Sequence, residues 1–98
     1  MLGKPLAAQG KVLAVDDEPL ILELITTCLQ TGGYEVVTAS NGPEALRSFF
    51  QHRPDLVLLD IVMPGMDGLQ VCQRIREMSP TVPVLFLSAR GSEDDKVR

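Results

Sequence analysis

The stretch Asp55-Leu56-Val57-Leu58-Leu59-Asp60-Ile61-Val62-Met63-Pro64-Gly65-Met66-Asp67-Gly68 decides the architecture. Leu56 to Leu59 form an uninterrupted apolar run. A strand this apolar is buried on both faces, as in a parallel sheet sandwiched between helices. The run ends in one carboxylate, Asp60, followed by a turn-rich loop and a helix start. In open α/β sheets ligands bind outside the carboxyl ends of the strands, so a charged residue at that point is a candidate for chemistry.

Toward the N-terminus, Val12 to Val15 are a second such run, ended by Asp16-Asp17-Glu18-Pro19. Pro19 suits the first turn of a helix, where its missing N–H costs nothing. Glu18 reads as an acid favoured there by the helix dipole. Ile21, Leu24, Ile25 and Cys28 then recur at helical spacing, flanked by Leu22 and Leu29, until Gly32-Gly33 stops the helix. Tyr34 to Thr38 are rich in β-formers and predict a second strand. Asn41 with Glu44 three residues on reads as a capping box for a second helix, whose apolar face is Ala45, Leu46, Phe49 and Phe50. Near that helix's end His52 is expected to be an exposed residue or C-cap. Asp55, after Pro54, is expected in a turn.

Beyond the central stretch, Asp67 caps a third helix with Gln70 at the reciprocal position. Leu69, Cys72 and Ile75 are its expected buried side, widened by Val71 and Met78, and Ser79-Pro80 ends it. Val82 to Leu87 predict a fourth strand, with Pro83 tolerated only near its start. Ser88-Ala89-Arg90-Gly91 terminates that strand. Ser92 to Asp95 read as the acidic first turn of a fourth helix, which contains Lys96. Residues 1–10 read as a flexible lead-in, and residues 11–98 as the domain.

Strict alternation of strand and helix implies an α/β fold with a parallel sheet, right-handed crossovers and helices on both faces. Periodicity does not fix the strand order. The order 2-1-3-4 places the first helix on one face and the second and third on the other. It also creates a switch point between strands 1 and 3 where Asp16, Asp17 and Asp60 meet. Cys28 and Cys72, read as small core residues, then lie on opposite faces of the sheet. That is beyond the Cα separation of about 7 Å that a disulfide allows.

The composition narrows the function classes. A net charge of −4, with acids spread along the chain, argues against this segment gripping nucleic acid. No apolar stretch approaches the ~20 residues of a membrane span, and the first ten residues have no signal-peptide core. Two distant cysteines without CxxC spacing fit a reduced, cytoplasmic protein. There is no GxGxxG, Walker A, HExxH or GxSxG motif. Acids after strand 1 would repel the phosphate of a flavin mononucleotide.

Three carboxylates in one crevice repel one another, and a divalent cation relieves the conflict. All-oxygen ligation suits Mg²⁺, with Mn²⁺ as a substitute. Asp17 and Asp60 are the expected direct ligands, with Asp16 direct or through water. A carboxylate beside such a cation can attack phosphorus as a nucleophile, and Asp60 is the residue placed to accept a phosphoryl group. Ser88, at the end of the neighbouring strand, has a hydroxyl that can donate to a phosphate oxygen. Asp67 and Asp55 are assigned to a cap and a turn.

With these residues in view the chain resembles the receiver domain of two-component response regulators, over about Lys11 to Arg98. The residues that carry the likeness are Val12-Leu13-Ala14-Val15-Asp16-Asp17-Glu18, Pro54 to Asp60, Met63-Pro64-Gly65-Met66-Asp67-Gly68, and Pro83-Val84-Leu85-Phe86-Leu87-Ser88-Ala89-Arg90. The resemblance implies a flavodoxin-like, doubly wound sheet of order 2-1-3-4-5. It implies Asp60 as phosphoacceptor from a histidine kinase's phosphohistidine, and Asp16 and Asp17 as the acidic pair for Mg²⁺. It further implies the Val62 backbone carbonyl as a metal ligand and Ser88 as the switch hydroxyl that relays the change to an output, here expected to be transcriptional.

The family's fifth strand, with its lysine and aromatic residue, and its fifth helix are not in these 98 residues, and Lys96 is no substitute. The expected consequences are an exposed edge at strand 4, a bared sheet face, and a homodimer or swapped oligomer. Weak or short-lived phosphorylation is expected too. The expectation is of a switch rather than an enzyme, with at most self-phosphorylation and autodephosphorylation chemistry. DNA would be contacted only through a separate effector domain, and no membrane is involved. The alternative is a receiver-like interaction module that is not phosphorylated.

Overall fold

The computed structural model describes residues 10–87. In chain order these form β1 (Lys11–Val15), α1 (Pro19–Thr31), β2 (Glu35–Ala39), α2 (Gly42–His52), β3 (Leu56–Asp60), α3 (Gly68–Met78) and β4 (Val84–Leu87). The four strands are parallel in the order β2-β1-β3-β4, as the sequence predicts. The expectations for the lead-in, the helix beginning at Ser92, and Lys96 lie outside the described residues, as does Ser88.

The register fixes the site. Val15 pairs with Leu59, so the next residues, Asp16 and Asp60, emerge level with each other. The Asp16 N–H donates to the Ala39 carbonyl at 3.2 Å, extending the β1–β2 ladder one step beyond the strand. On the other side Asp60 pairs with Leu87.

Alternation along the strands divides the core. Leu13, Val15, Val57 and Leu59 join Ala45 and Phe49 of α2 and Val71 and Ile75 of α3 in one buried cluster. Val12 and Ala14 are equally buried but point to the opposite face, the side of α1. Each large apolar side chain fully withdrawn in this way contributes roughly 1.5–3 kcal/mol.

The helix stripes differ in detail from those expected. In α3 the buried line is Gly68, Val71 and Ile75, an i, i+3, i+7 series, while Leu69 is 60% exposed and Cys72 and Met78 are half-buried. In α2, Ala45 and Phe49 are buried four residues apart, but Phe50, one position and 100° further round, points outward. The Arg53 guanidinium sits 5.4 Å from the Phe50 ring centre. α1 buries no residue fully, and Leu24 and Cys28 are exposed. Ile21, Leu22, Ile25 and Leu29 are its half-buried side. Cys28 is therefore not a core residue, whereas Cys72 is half-buried and packs against the core cluster. Both are free thiols, on helices packed to opposite faces of the sheet.

The helix ends follow local chemistry. At α3, Asp67 accepts from the Gln70 N–H while Gln70 accepts from the Asp67 N–H, both at 3.0 Å, a complete capping box. At α2 only half of the predicted box forms. Asn41 accepts from the Glu44 N–H at 2.9 Å, but Glu44 reaches one residue further, accepting from the N–H and hydroxyl of Ser40 at 2.7 and 2.8 Å. These donors hold the Glu44 carboxyl below its ordinary range. α2 ends at His52 and is capped by Arg53, whose φ of 47° lies in the left-handed region; exposed His52 accepts through its carbonyl from Lys11 Nζ at 3.1 Å.

Two strand starts differ from expectation. β2 begins at Glu35, after Gly33 turns the chain with φ 95°. β4 begins at Val84, because Pro83 has no N–H to donate; its carbonyl accepts from Val57 at 3.0 Å. Asp55 clasps the start of β1: its Oδ2 accepts from the Lys11 N–H at 2.9 Å, and its own N–H donates to the Lys11 carbonyl at 2.7 Å.

Candidate functional site

Asp16, Asp17 and Asp60 each offer a carboxylate oxygen within 4.8 Å of the others. Asp16 and Asp60 are 3% exposed, and Asp17, one residue beyond the end of the ladder, is half-buried. Among the described residues this is where three such acids converge. Carboxylates withdrawn from water are tolerated only where hydrogen bonds, opposite charge or a metal ion replace the lost hydration.

Short-range hydrogen bonds orient two of them. Asp16 Oδ1 accepts from the Glu18 N–H at 2.9 Å, which turns the chain from β1 into α1 and makes Glu18 the N-cap rather than a first-turn residue. Asp60 Oδ1 accepts from the Val62 N–H at 3.3 Å, which brings the main chain of Val62 beside the acid although its side chain is exposed. The sequence-predicted acids and the Val62 backbone therefore share one crevice. Asp67 and Asp55 do not enter it, being held by their cap and clasp.

The donor set is all oxygen and carries several negative charges. It fits a hard divalent cation of the Mg²⁺ type, which keeps some of its waters and takes one or two carboxylates.

Two glycines admit close packing around the loop that follows Asp60, and the sequence reading did not single them out. Gly68, the first residue of α3, donates to the Ile61 carbonyl at 2.9 Å. A Cβ placed on it would collide with the Asp60 carbonyl oxygen and lie 2.7 Å from Ile61 Cα. Gly42, the first residue of α2, leaves a notch filled by Met66: a Cβ there would lie 2.7 Å from Met66 Cβ and 2.8 Å from its sulfur. The glycine after Asp67 was the available signal for the first. Nothing local marks the second, because it depends on a loop 24 residues away.

Known proteins share both this fold and this arrangement of sequence. The response regulator receiver domain family matches residues 12–98. The alkaline phosphatase synthesis transcriptional regulatory protein PhoP of Bacillus subtilis is 44% identical over 87 residues, 89% of this chain and 36% of that protein. The transcriptional regulatory protein PrrA of Mycobacterium tuberculosis is 48% identical over 87 residues, 89% of this chain and 37% of that protein. The chain thus spans a little over a third of the curated relatives it matches.

Among solved structures, the response regulator protein TrrA of Thermotoga maritima, crystallised with Mg²⁺ and BeF, superposes with a TM-score of 0.75 at 45% identity, covering 86% of this chain and 75% of that one. A structure of TrrA in complex with the histidine kinase ThkA matches with a TM-score of 0.77 at 45% identity, covering 88% and 74%. With the 2-1-3-4 sheet and the acids at its switch point, these matches establish that the chain belongs to the response regulator receiver domain family.

Proposed function

We propose that this chain is a phosphoaccepting signalling switch in which Asp60 takes a phosphoryl group from the phosphohistidine of a sensor histidine kinase. The observation that carries the reading is the convergence of the Asp16, Asp17 and Asp60 carboxylates within 4.8 Å at the ends of β1 and β3. An Asp60 oxygen forms the new P–O bond as the P–N bond to the donor imidazole breaks, and the electron pair returns to the ring nitrogen. Asp16, Asp17, Asp60 and the Val62 carbonyl are the residues that would hold Mg²⁺, or Mn²⁺ in its place. The cation would offset negative charge on the transferring phosphoryl group.

The Val62 N–H on Asp60 Oδ1 fixes the carboxylate's rotation. Burial of Asp60 to 3% keeps bulk water from competing with the donor. Ser88 follows Leu87, which is level with Asp60 in the sheet, and this supports its role as the hydroxyl that senses the phosphoryl group. The likeness to PhoP and PrrA supports a transcriptional output carried by sequence outside this segment and a cytoplasmic setting. The TrrA–ThkA complex supports a histidine kinase as partner. Among the described residues no helix is long and apolar enough to cross a membrane. The chemistry is that of a switch and not of an enzyme acting on a separate substrate.

Incubation with acetyl phosphate and Mg²⁺, read by intact mass, tests the assignment. Wild type and Asp67→Asn gain one phosphoryl group and Asp60→Asn gains none. Labelling that persists in Asp60→Asn, or that ignores Mg²⁺ removal, overturns it. The exposed apolar residues Leu20, Leu24, Leu85 and Phe86 support self-association of this 98-residue chain. Sedimentation velocity checks this, and a concentration-independent monomer refutes it.

A further inference from the structure

The loop between β3 and α3 carries the Val62 main chain, and its course is set by two methionines on either side of a turn. Met63 is 6% exposed and belongs to the core cluster. Gly65, with φ 80°, reverses the chain. Met66 then packs against the same core and against the first residue of α2. There the absent side chain of Gly42 leaves room that a single Cβ would fill, at 2.7 Å from Met66 Cβ, 2.8 Å from Sδ and 3.0 Å from Cγ. Gly42 is itself buried and Met66 half-buried, so the thioether occupies the space that a side chain at position 42 would take. The flexible, polarisable Met side chain suits so irregular a space.

We propose that Met66 and Gly42 are positioning residues for the cation site. Met66, seated in the Gly42 notch, holds the loop so that the Val62 main chain stays beside Asp60. The inference rests on the reading of the acids as a divalent-cation site and adds residues outside the proposed ligand set. It also ties the geometry at the end of β3 to the α2 side of the molecule, since Gly42 follows directly from the Asn41 cap after β2.

The test is Mn²⁺ binding, followed by loss of the free-ion EPR signal, together with thermal unfolding in the absence of metal. Supporting groups of this kind typically change metal affinity by 10–100-fold. Gly42→Ala and Met66→Ala are each expected to weaken Mn²⁺ binding by about tenfold. The double variant should also lose about tenfold rather than about a hundredfold, because both changes remove one seating. Met66→Leu, which refills the notch, should recover most of the affinity. Val12→Ala, a buried truncation near the start of β1 and outside the cluster that holds the methionines, should lower the melting temperature without moving Mn²⁺ affinity.

Met66→Ala adds no atoms and carries the test even if Gly42→Ala does not fold. Mn²⁺ affinity within twofold of wild type in Met66→Ala, with a melting temperature lowered as in Val12→Ala, would overturn the proposal by showing a structural role alone. Fully multiplicative losses in the double variant would overturn it too. Asp17→Asn separates the two levels. If it leaves Mn²⁺ binding intact, the cation site itself is wrong, whereas weakened binding in Asp17→Asn beside intact binding in Met66→Ala removes only the positioning role.

Discussion

Replacing Gly68 by Ala adds one methyl group at the point where α3 rests on the end of β3. The added Cβ meets backbone on both sides: the Asp60 carbonyl oxygen, and Ile61 Cα at 2.7 Å. That is about 0.7 Å inside the 3.4 Å at which ordinary contact begins. Neither atom belongs to a flexible side chain, so the helix start and the loop must part. The Gly68 N–H to Ile61 carbonyl bond stretches with them. Overpacking a fitted interior costs about 1–3 kcal/mol. Ala offsets part of this, about 0.4–1 kcal/mol, by restricting the unfolded chain. The rigidity of the struck atoms places the net loss at about 2 kcal/mol.

With a urea m-value of about 1 kcal/mol/M for a domain of this size, the unfolding midpoint should fall by about 2 M. Gly65→Ala is the comparison. Its Cβ would meet nothing within 4 Å, but φ is 80°. That leaves only left-handed backbone strain, about 1 kcal/mol and about half the shift. Urea unfolding by circular dichroism should therefore rank wild type above Gly65→Ala above Gly68→Ala. A Gly68→Ala midpoint at or above wild type would show that α3 does not rest against Asp60 as described.

Further expectations follow from the caps, the acids and the core. Asp67→Ala removes the side-chain half of the α3 capping box, the acceptor of the Gln70 N–H, and should cost about 1 kcal/mol, read as a lower urea midpoint; an unchanged midpoint would refute the cap. Glu44 has its folded pKa depressed by the Ser40 donors, so its contribution to stability is present above its ordinary value of 4.5 and is lost as pH falls through the lower folded value. Wild type should therefore exceed Glu44→Gln in stability at neutral pH, and the gap should close in acid; a gap independent of pH contradicts the bond. Phe49→Ala should cost about 3–5 kcal/mol, whereas Phe50→Ala, at 65% exposure, should stay within about 0.5 kcal/mol. Equal losses at the two positions would mean that the α2 face is misassigned.

The sequence by itself determined the alternation of strand and helix, the central strand ending at Asp60, and the standing of Asp16, Asp17 and Asp60 at the carboxyl ends of strands. Those features are local, because continuous apolar runs specify buried strands and the acids stand at their ends. The Asp67–Gln70 box was equally legible, since both partners lie within one helical turn.

What the sequence left open depended on contacts between distant segments. Only packing showed that Phe49 and Val71 face the core while Phe50 and Leu69 face out, because apolar residues on both sides of a stripe leave its rotation undetermined. Glu44 bonded Ser40 rather than completing its box, a choice made by the turn out of β2. Placing the Asp60 oxygens within 4.8 Å of Asp16 and Asp17 required the Val15–Leu59 register, a pairing across 44 residues that no local pattern encodes. The glycine notches that seat the loop arise only where two helix starts and that loop meet, so the missing side chains at Gly42 and Gly68 acquire their meaning in the folded chain.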